Sequence, residues 1–406
     1  FGLSEGRPAL TEASKFSNVI QLREGLGGLP ASTTAIPGAI SLKVVSVEGY
    51  IAAQGDQQSQ TWVMRKARSG AVGVTEKVTF PSFPYVAKLD GVLVLAGTRF
   101  VLADNDTVVH DEEFFFRNSK YAALKYVKAK RGLDGTLELK FSMQQASWVD
   151  VGINLMHEYS YNYFHFIAET IPRMLLAEEL DLPHEIPYIF EDGLHPNMRQ
   201  LIDLLNYKKR PVIYLQSGRL YLLDSMYLPS DMSSVIDAYD CGPEARQTVL
   251  EVGYIAKGVK RCMAAYPMAG EPKARKIYIR RPGTSRILLN QPDLETRLAG
   301  IGFEILTIED LDIEQQIKLF RDAGIVIAPT GAHLTNMVWC NPETKVIVLA
   351  SDHPSHQLYL WQLLGKVSSC EVKILQGPRA YTKNDKYSVH DDYYIDVESV
   401  VASITN

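Results

Sequence analysis

From Lys276 onward the apolar positions fall into a regular alternation of short runs and helical stripes. A run over Lys276–Arg280 is followed by a helix with Asn290 near its cap, Pro292 in its first turn and Gly300 near its end, and a second run covers Phe303–Leu306. Ile313, Ile317 and Phe320 recur at helical spacing over Ile313–Ala323, and the next run, Gly324–Ala328, opens the segment GIVIAPTGAHLTNM. A short helix, the run Lys345–Leu349, a helix around Gln357–Leu364 and the run Glu371–Leu375 complete the series. Strands alternating with helices predict right-handed βαβ units in a parallel, doubly wound sheet.

The earlier chain has a different rhythm. Its first forty or so residues are rich in Gly, Ser, Pro and Thr and predict an extended lead-in over 1–41. Short apolar runs between turns predict a β-rich layer from Leu42 to Ser147. Helical patterning then covers Tyr161 to Leu180 and Pro196 to Leu205, with strands in RPVIYL and SMYLPS. A helix within CGPEARQTVLEVGYIAKGV bridges to the second half, so the expected divisions are 1–41, 42–245 and 246–406 of an α/β chain.

Composition narrows the class. A chain of 406 residues can bury roughly 75% of its unfolded surface and needs no staples. The formal net charge of -5, the sequence pI near 6.0 and the absence of any block of like charges exclude a nucleic-acid partner. Cys241, Cys262, Cys340 and Cys370 have neither C-x-x-C nor zinc-type spacing and read as reduced thiols. No run of eighteen apolar residues occurs. The chain begins at Phe1 without a methionine, as a trimmed protein would, and carries one sequon, Asn105-Asp106-Thr107.

Two constellations carry chemistry. In a doubly wound sheet, ligands sit outside the carboxyl ends of the strands, where helix N-termini offer free N–H groups. Gly331 lets backbone approach a ligand there, Ala332 adds little bulk, and His333, Thr335 and Asn336 follow within reach. Arg280, Arg281 and Arg286 leave the sheet at the same edge after one strand, and Ser351, Asp352 and His353 after another. Guanidinium groups pair bidentately with phosphate, so the edge suits a diphosphate. The plain alternative is a tight strand-to-helix turn beside solvated arginines.

The second constellation is in YNYFHFIAETIPR. Asn162, His165, Glu169 and Arg173 share one helical face, and a glutamate one turn from a histidine can orient the imidazole and raise its basicity. Pro172 predicts a kink. An ordinary polar face is the alternative reading. A third motif, Asp104-Asn105-Asp106, resembles the D-x-D of metal-dependent sugar transferases but reads as a hairpin turn.

Taken together the motifs resemble glycosyltransferase family 61. The family pattern N-Y-x-H-F-x-x-[DE]-x-x-P-R is matched by Asn162, Tyr163, His165, Phe166, Glu169, Pro172 and Arg173. A later K-[IV]-Y-[IV]-x-R…R…N is matched by Lys276, Ile277, Tyr278, Ile279, Arg281, Arg286 and Asn290, and H-G-A-x-L-T-N by Gly331, Ala332, Leu334, Thr335 and Asn336. The chain departs from the family in having Thr330 before the glycine and His333 where a small residue is usual.

The resemblance implies a GT-B fold, two Rossmann-like domains facing across a cleft, and inverting transfer from a nucleotide sugar, with uridine diphosphate preferred, to a hydroxyl of a glycan acceptor. It gives His165 and Glu169 catalytic roles and assigns Arg281, Arg286, Gly331, Ala332, Thr335 and Asn336 to the donor, with His333 placed there in lieu of the histidine the turn lacks, and Asn162 and Arg173 to the acceptor. No metal and no cofactor are expected; homo-oligomerisation is compatible. The compartment would be the cytoplasm for a bacterial chain, the preferred case, or the Golgi or ER lumen for a trimmed eukaryotic one. A nucleotide-sugar epimerase and a non-catalytic glycan-binding relative are the rival readings.

Overall fold

The computed structural model describes the strands before residue 146, the stretch 86–102 among them. After that it describes residues 146–179, 182–233, 249–267, 274–281, 285–353, 358–381 and 390–405, with the single positions Tyr126, Val235, Gly283 and His356. The chain is mixed α/β and divides into two compact units. One comprises Phe1–Thr61, Val78–His195 and Asn206–Gln247, the other Trp62–Lys77, Pro196–Leu205 and Thr248–Asn406.

The first unit is built on a mixed sheet. Its path is made of β1 (Asn18–Gln21), β2 (Val86–Leu95), β3 (Val101–Leu102), β4 (Thr107–His110), β5 (Ser147–Asn154), β6 (Tyr188–Glu191), β7 (Val212–Leu215) and β8 (Leu220–Pro229). The order is β7-β6-β5-β8-β2-β3-β4-β1. The first four run parallel, and β2 joins β8 antiparallel. Counted along the chain those four strands have the order 3-2-1-4, as at the centre of a doubly wound sheet, which places a topological switch point between β5 and β8. Leu89, Val92 and Val94 of β2 and Leu223, Met226 and Leu228 of β8 supply the inward face of the core. Helix α1 crosses from β5 to β6 in three parts: Tyr163–His165, a π-helical turn over Phe166–Thr170, and Ile171–Glu179.

The kink expected at Pro172 takes the form of that π turn. A proline cannot donate to the carbonyl four residues back and crowds it, so the backbone widens just ahead of it, and Ile171 N–H reaches Phe166 O instead. Within 1–41, Glu12–Phe16 pairs antiparallel with Leu137–Phe141 and β1 pairs parallel with β4, so that stretch contributes strands. The β3–β4 pair is antiparallel, and the Asp104–Asp106 motif between them lies outside the described residues.

The second unit holds a five-stranded, all-parallel sheet. Its strands are β9 (Arg275–Ile279), β10 (Glu304–Leu306), β11 (Ala323–Pro329), β12 (Lys345–Ser351) and β13 (Glu371–Gly377), in the order β10-β9-β11-β12-β13. The uninterrupted apolar run in β11 and β12 reflects burial on both faces. Residues 196–205 form α2 (Pro196–Leu205), which belongs to this unit and bonds Leu311 through Asn197. The crossovers are α4 (Gln291–Ala299), α5 (Ile313–Arg321), a 3-10 helix (Ala332–Trp339) and α6 (Tyr359–Ser368), preceded by α3 (Val252–Ala265) and followed by α7 (Val397–Thr405). A capping box between Asp312 and Gln315 starts α5.

Two sequence expectations shift. The bridging helix read over 241–259 begins only at Val252, because Val249–Glu251 forms a strand and the Glu251 carboxylate caps Gly253 N. Asn290 holds the cap position of α4 without capping it; its amide exchanges bonds with the Ile395 backbone, Nδ2 to O at 2.7 Å and N to Oδ1 at 3.1 Å.

Candidate active site

Beyond Asn154 the chain leaves β5 at the switch-point edge and turns through Met156, His157, Glu158 and Ser160 into α1. Asn162 caps α1, its side chain accepting from Phe164 N at 2.9 Å. One turn in, His165 Nδ1 stands 2.6 Å from Glu169 Oε2, and both residues are buried. Glu169 Oε1 accepts from Val235 N at 3.0 Å, which fixes the carboxylate. A carboxylate accepts, so Nδ1 carries the imidazole proton and the lone pair lies on Nε2.

A second histidine meets the same carboxylate. His157 Nδ1 accepts from Tyr159 N at 3.0 Å, leaving the proton on Nε2, which lies 3.5 Å from Glu169 Oε2. Burial, and then the positive charge of Arg99, of His165 when it is protonated and of Arg173, hold its pKa well below the ordinary histidine range. Glu169 is thus flanked by two imidazoles, one of them fixed neutral.

Around this pair runs a buried charge lattice. Arg99 Nε donates to Glu158 Oε2 and Nη1 to Asp231 Oδ2, each at 2.8 Å. Arg173 is 1% exposed and donates to three carbonyls, Pro229 from Nε, Met156 from Nη1 and Asn154 from Nη2, with Asp231 Oδ1 3.6 Å away. It therefore ties the carboxyl ends of β5 and β8 together at the switch point. Glu191, the last residue of β6, is 4% exposed, and burial pushes its carboxyl up to about 7. One of its oxygens meets the Ser160 hydroxyl, which bonds the His157 carbonyl at 2.8 Å, while the other has no partner.

In the second unit the strand order 2-1-3-4-5 sets the switch point between β9 and β11. Arg281 follows β9 and its Nη1 donates to Thr330 O, just past β11, at 2.5 Å. Burial, then the neighbouring Arg286, lower its pKa to about 10. Gly331 is extended, with φ 164°, a conformation open to any residue; the constraint is space, because a Cβ there would lie 2.2 Å from Arg281 Nη1 and 2.8 Å from the His333 ring. The His333 ring bonds the Pro329 carbonyl, its Nε2 is buried without a partner, and burial with Arg281 and Arg286 holds its pKa at about 3. Arg286 has left-handed backbone, φ 57°, and donates from N to His390 O at 3.0 Å.

The remaining expected donor residues divide. Thr335 is 0% exposed and its hydroxyl has no partner. Asn336 serves the turn itself, bonding His333 O through Nδ2 at 3.0 Å and accepting from Trp339 Nε1 at 2.9 Å. Ala332 begins the 3-10 helix. Arg280 turns outward into a surface pair with Glu295, and Asp352 is exposed 3.7 Å from Arg379 Nε. Among the described residues, no three His, Cys, Asp or Glu side chains are grouped as metal ligands, Cys262, Cys340 and Cys370 are free thiols, and no helix is long and apolar enough to cross a membrane.

Sequence reasoning overlooked Arg99, Asp231, Ser160 and Glu191, which come from four separate segments and meet only through the sheet. Glu191 did carry a signal: a carboxylate ending the apolar run Tyr188–Phe190, at the edge where ligands bind.

A family model described as Glycosyltransferase 61 matches residues 163–347. The comparison with curated proteins gives no match. The matched stretch contains the His165–Glu169 pair, Arg281, Arg286 and the Gly331 turn.

Proposed function

The chain belongs to glycosyltransferase family 61 through residues 163–347 and is a glycosyltransferase, and from that premise we propose that it carries out inverting transfer from a nucleoside diphosphate sugar, uridine diphosphate preferred, to a glycan hydroxyl. The observation that carries the reading is the 2.6 Å contact between His165 Nδ1 and Glu169, which orients the imidazole and leaves the His165 Nε2 lone pair to take a proton. In the proposed step, Nε2 takes the proton of the acceptor hydroxyl. The acceptor oxygen forms its bond to the anomeric carbon from the face opposite the diphosphate, and the bond from that carbon to the diphosphate oxygen breaks with its electron pair.

The departing charge falls to Arg281, Arg286 and the N–H groups beginning the Ala332–Trp339 helix, positive groups that need no metal. Neutral His333 offers Nε2 as an acceptor, which suits a hydroxyl of the donor sugar better than a phosphate oxygen. Asn162 keeps its proposed place beside the acceptor. Arg173 acts through the strand ends it clamps, since its donors are committed to carbonyls. A GT-B plan, each unit contributing one Rossmann-like domain, belongs to the same proposal.

The test is release of free nucleoside diphosphate from the donor sugar as a function of added acceptor glycan. Transferase chemistry requires release that tracks acceptor. An epimerase would convert the donor without acceptor, and a glycan-binding relative would bind both and release nothing.

A further inference from the structure

The donor reading leaves buried polar groups at the carboxyl end of β12 without a task. Ser351, the last residue of that strand, is 1% exposed, and its hydroxyl has no hydrogen-bond partner. The His356 ring bonds the Ser351 carbonyl, which also accepts from Gln376 Nε2 at 3.1 Å, and His356 Nδ1 is left buried and unpartnered. Two such orphans side by side are unusual in a native interior and mark a place where something else supplies the bonds.

Their position says what. Arg281 and Gly331 stand at the crevice between β9 and β11, and β12 is the next strand beyond β11. One strand further is about 4.8 Å, the kind of step that separates a ribose from the diphosphate it carries. The chemistry agrees. The charged and titratable groups around His356 are Arg286, His353 and His390; burial first and Arg286 second hold its pKa at about 3, so it is neutral at working pH. With its ring proton on the Ser351 carbonyl, Nδ1 is an acceptor, which suits a hydroxyl and repels a phosphate oxygen. Ser351 Oγ can both donate and accept.

We propose that Ser351 and His356 bind the ribose diol of the donor nucleotide, one hydroxyl donating to His356 Nδ1 and its neighbour bonding Ser351 Oγ. This rests on the donor-site reading of Arg281 and Arg286. It makes the protein selective for ribonucleotides through the end of β12, separately from the diphosphate contacts.

The experiment measures dissociation constants by calorimetry for UDP, GDP and ADP, their 2′-deoxy counterparts and pyrophosphate, with the wild type and with Ser351→Ala and His356→Ala. The expected result is that the best-bound ribonucleotide exceeds its deoxy counterpart by about tenfold in the wild type, the scale of one lost hydrogen bond that orphans a buried partner. The variant whose side chain meets the 2′-hydroxyl should bring that ratio to within about twofold of unity, the other should weaken ribo and deoxy forms alike, and both should leave pyrophosphate affinity unchanged, a pattern that misfolding would not produce. A wild type that binds ribo and deoxy forms equally, two variants that both keep the ratio, or variants that weaken pyrophosphate in step, overturns the assignment. If no nucleoside diphosphate and no pyrophosphate binds the wild type, it is the donor reading itself that falls, and this inference with it.

Discussion

His165 and Glu169 meet at 2.6 Å across a turn wound as a π-helix, and the wider winding is what Pro172 imposes one turn later. The pair is therefore held by backbone geometry as well as by its own hydrogen bond. His165→Ala and Glu169→Gln should each lower turnover by roughly a hundredfold or more, the usual scale for losing a proton-transfer group, with donor affinity nearly unchanged. Steady-state kinetics beside donor titrations decide it. If both variants keep near-normal turnover, the base lies elsewhere, and neutral His157 is the next residue to change.

Much of this was legible in the sequence, for a physical reason. Parallel strands buried on both faces are written as unbroken apolar runs, so β11 and β12 could be read within a few residues of where they lie. The His165–Glu169 pair was legible because both partners sit on one helix, where spacing alone sets neighbours. What Arg173 meets was not legible, because its helical face points at strand ends brought there by the fold, and nothing in local spacing reveals three carbonyls at the ends of two strands. Thr335 and Ser351 follow the same rule: a polar residue in an apolar run announces burial, not what it awaits.

Gly331→Ala should weaken binding of nucleoside diphosphates, with some loss of stability because the methyl also crowds the buried His333 ring, 2.8 Å away. The extended backbone accepts alanine, but the added methyl lands 2.2 Å from Arg281 Nη1 and must displace it from the Thr330 carbonyl. Arg281→Ala and Arg286→Ala should cost about 1.5–3 kcal/mol of diphosphate affinity, as for a hydrogen bond to a charged group. The bare nucleoside should bind all of these variants as it binds the wild type. Equal loss for nucleoside and diphosphate would speak for a folding defect instead.

Glu191 gives a stability prediction with a defined sign. Its folded carboxyl titrates at about 7 against an ordinary 4.5 because burial disfavours the charge, so the folded state holds a proton that the unfolded state has released between those values. Its contribution is complete below pH 4.5 and disappears as pH rises to about 7, a change on the order of 3 kcal/mol. Glu191→Gln should therefore match the wild type near pH 4.5 and exceed it in stability at pH 8, as urea midpoints at the two pH values would report. Parallel pH profiles for the two proteins would place the ionisation elsewhere.

Transfer should survive excess chelator, because the proposed leaving-group charge is met by Arg281, Arg286 and the helix after Gly331. Asp352, the one acid read at that edge, is exposed and lies near Arg379. Activity abolished by EDTA and restored by Mn²⁺ would require a carboxylate site and would return attention to Asp104–Asp106.

The loop carrying Arg286 is stitched to residues about a hundred positions downstream. Arg286 N–H bonds His390 O, the Tyr393 backbone accepts from Leu289 N and donates to Ile287 O, Asn290 grips Ile395, and the Tyr393 hydroxyl reaches Leu349 O at 3.1 Å. Anyone excising the proposed donor-binding half as a separate module must keep the sequence through α7, whose Val400 belongs to the same core as Tyr393. A boundary drawn after β13, where the sheet is already complete, would release the loop carrying Arg286 from its splint and strip Tyr393, Ile395 and Val400 from the core they share with Tyr278, Ile327 and Ile347.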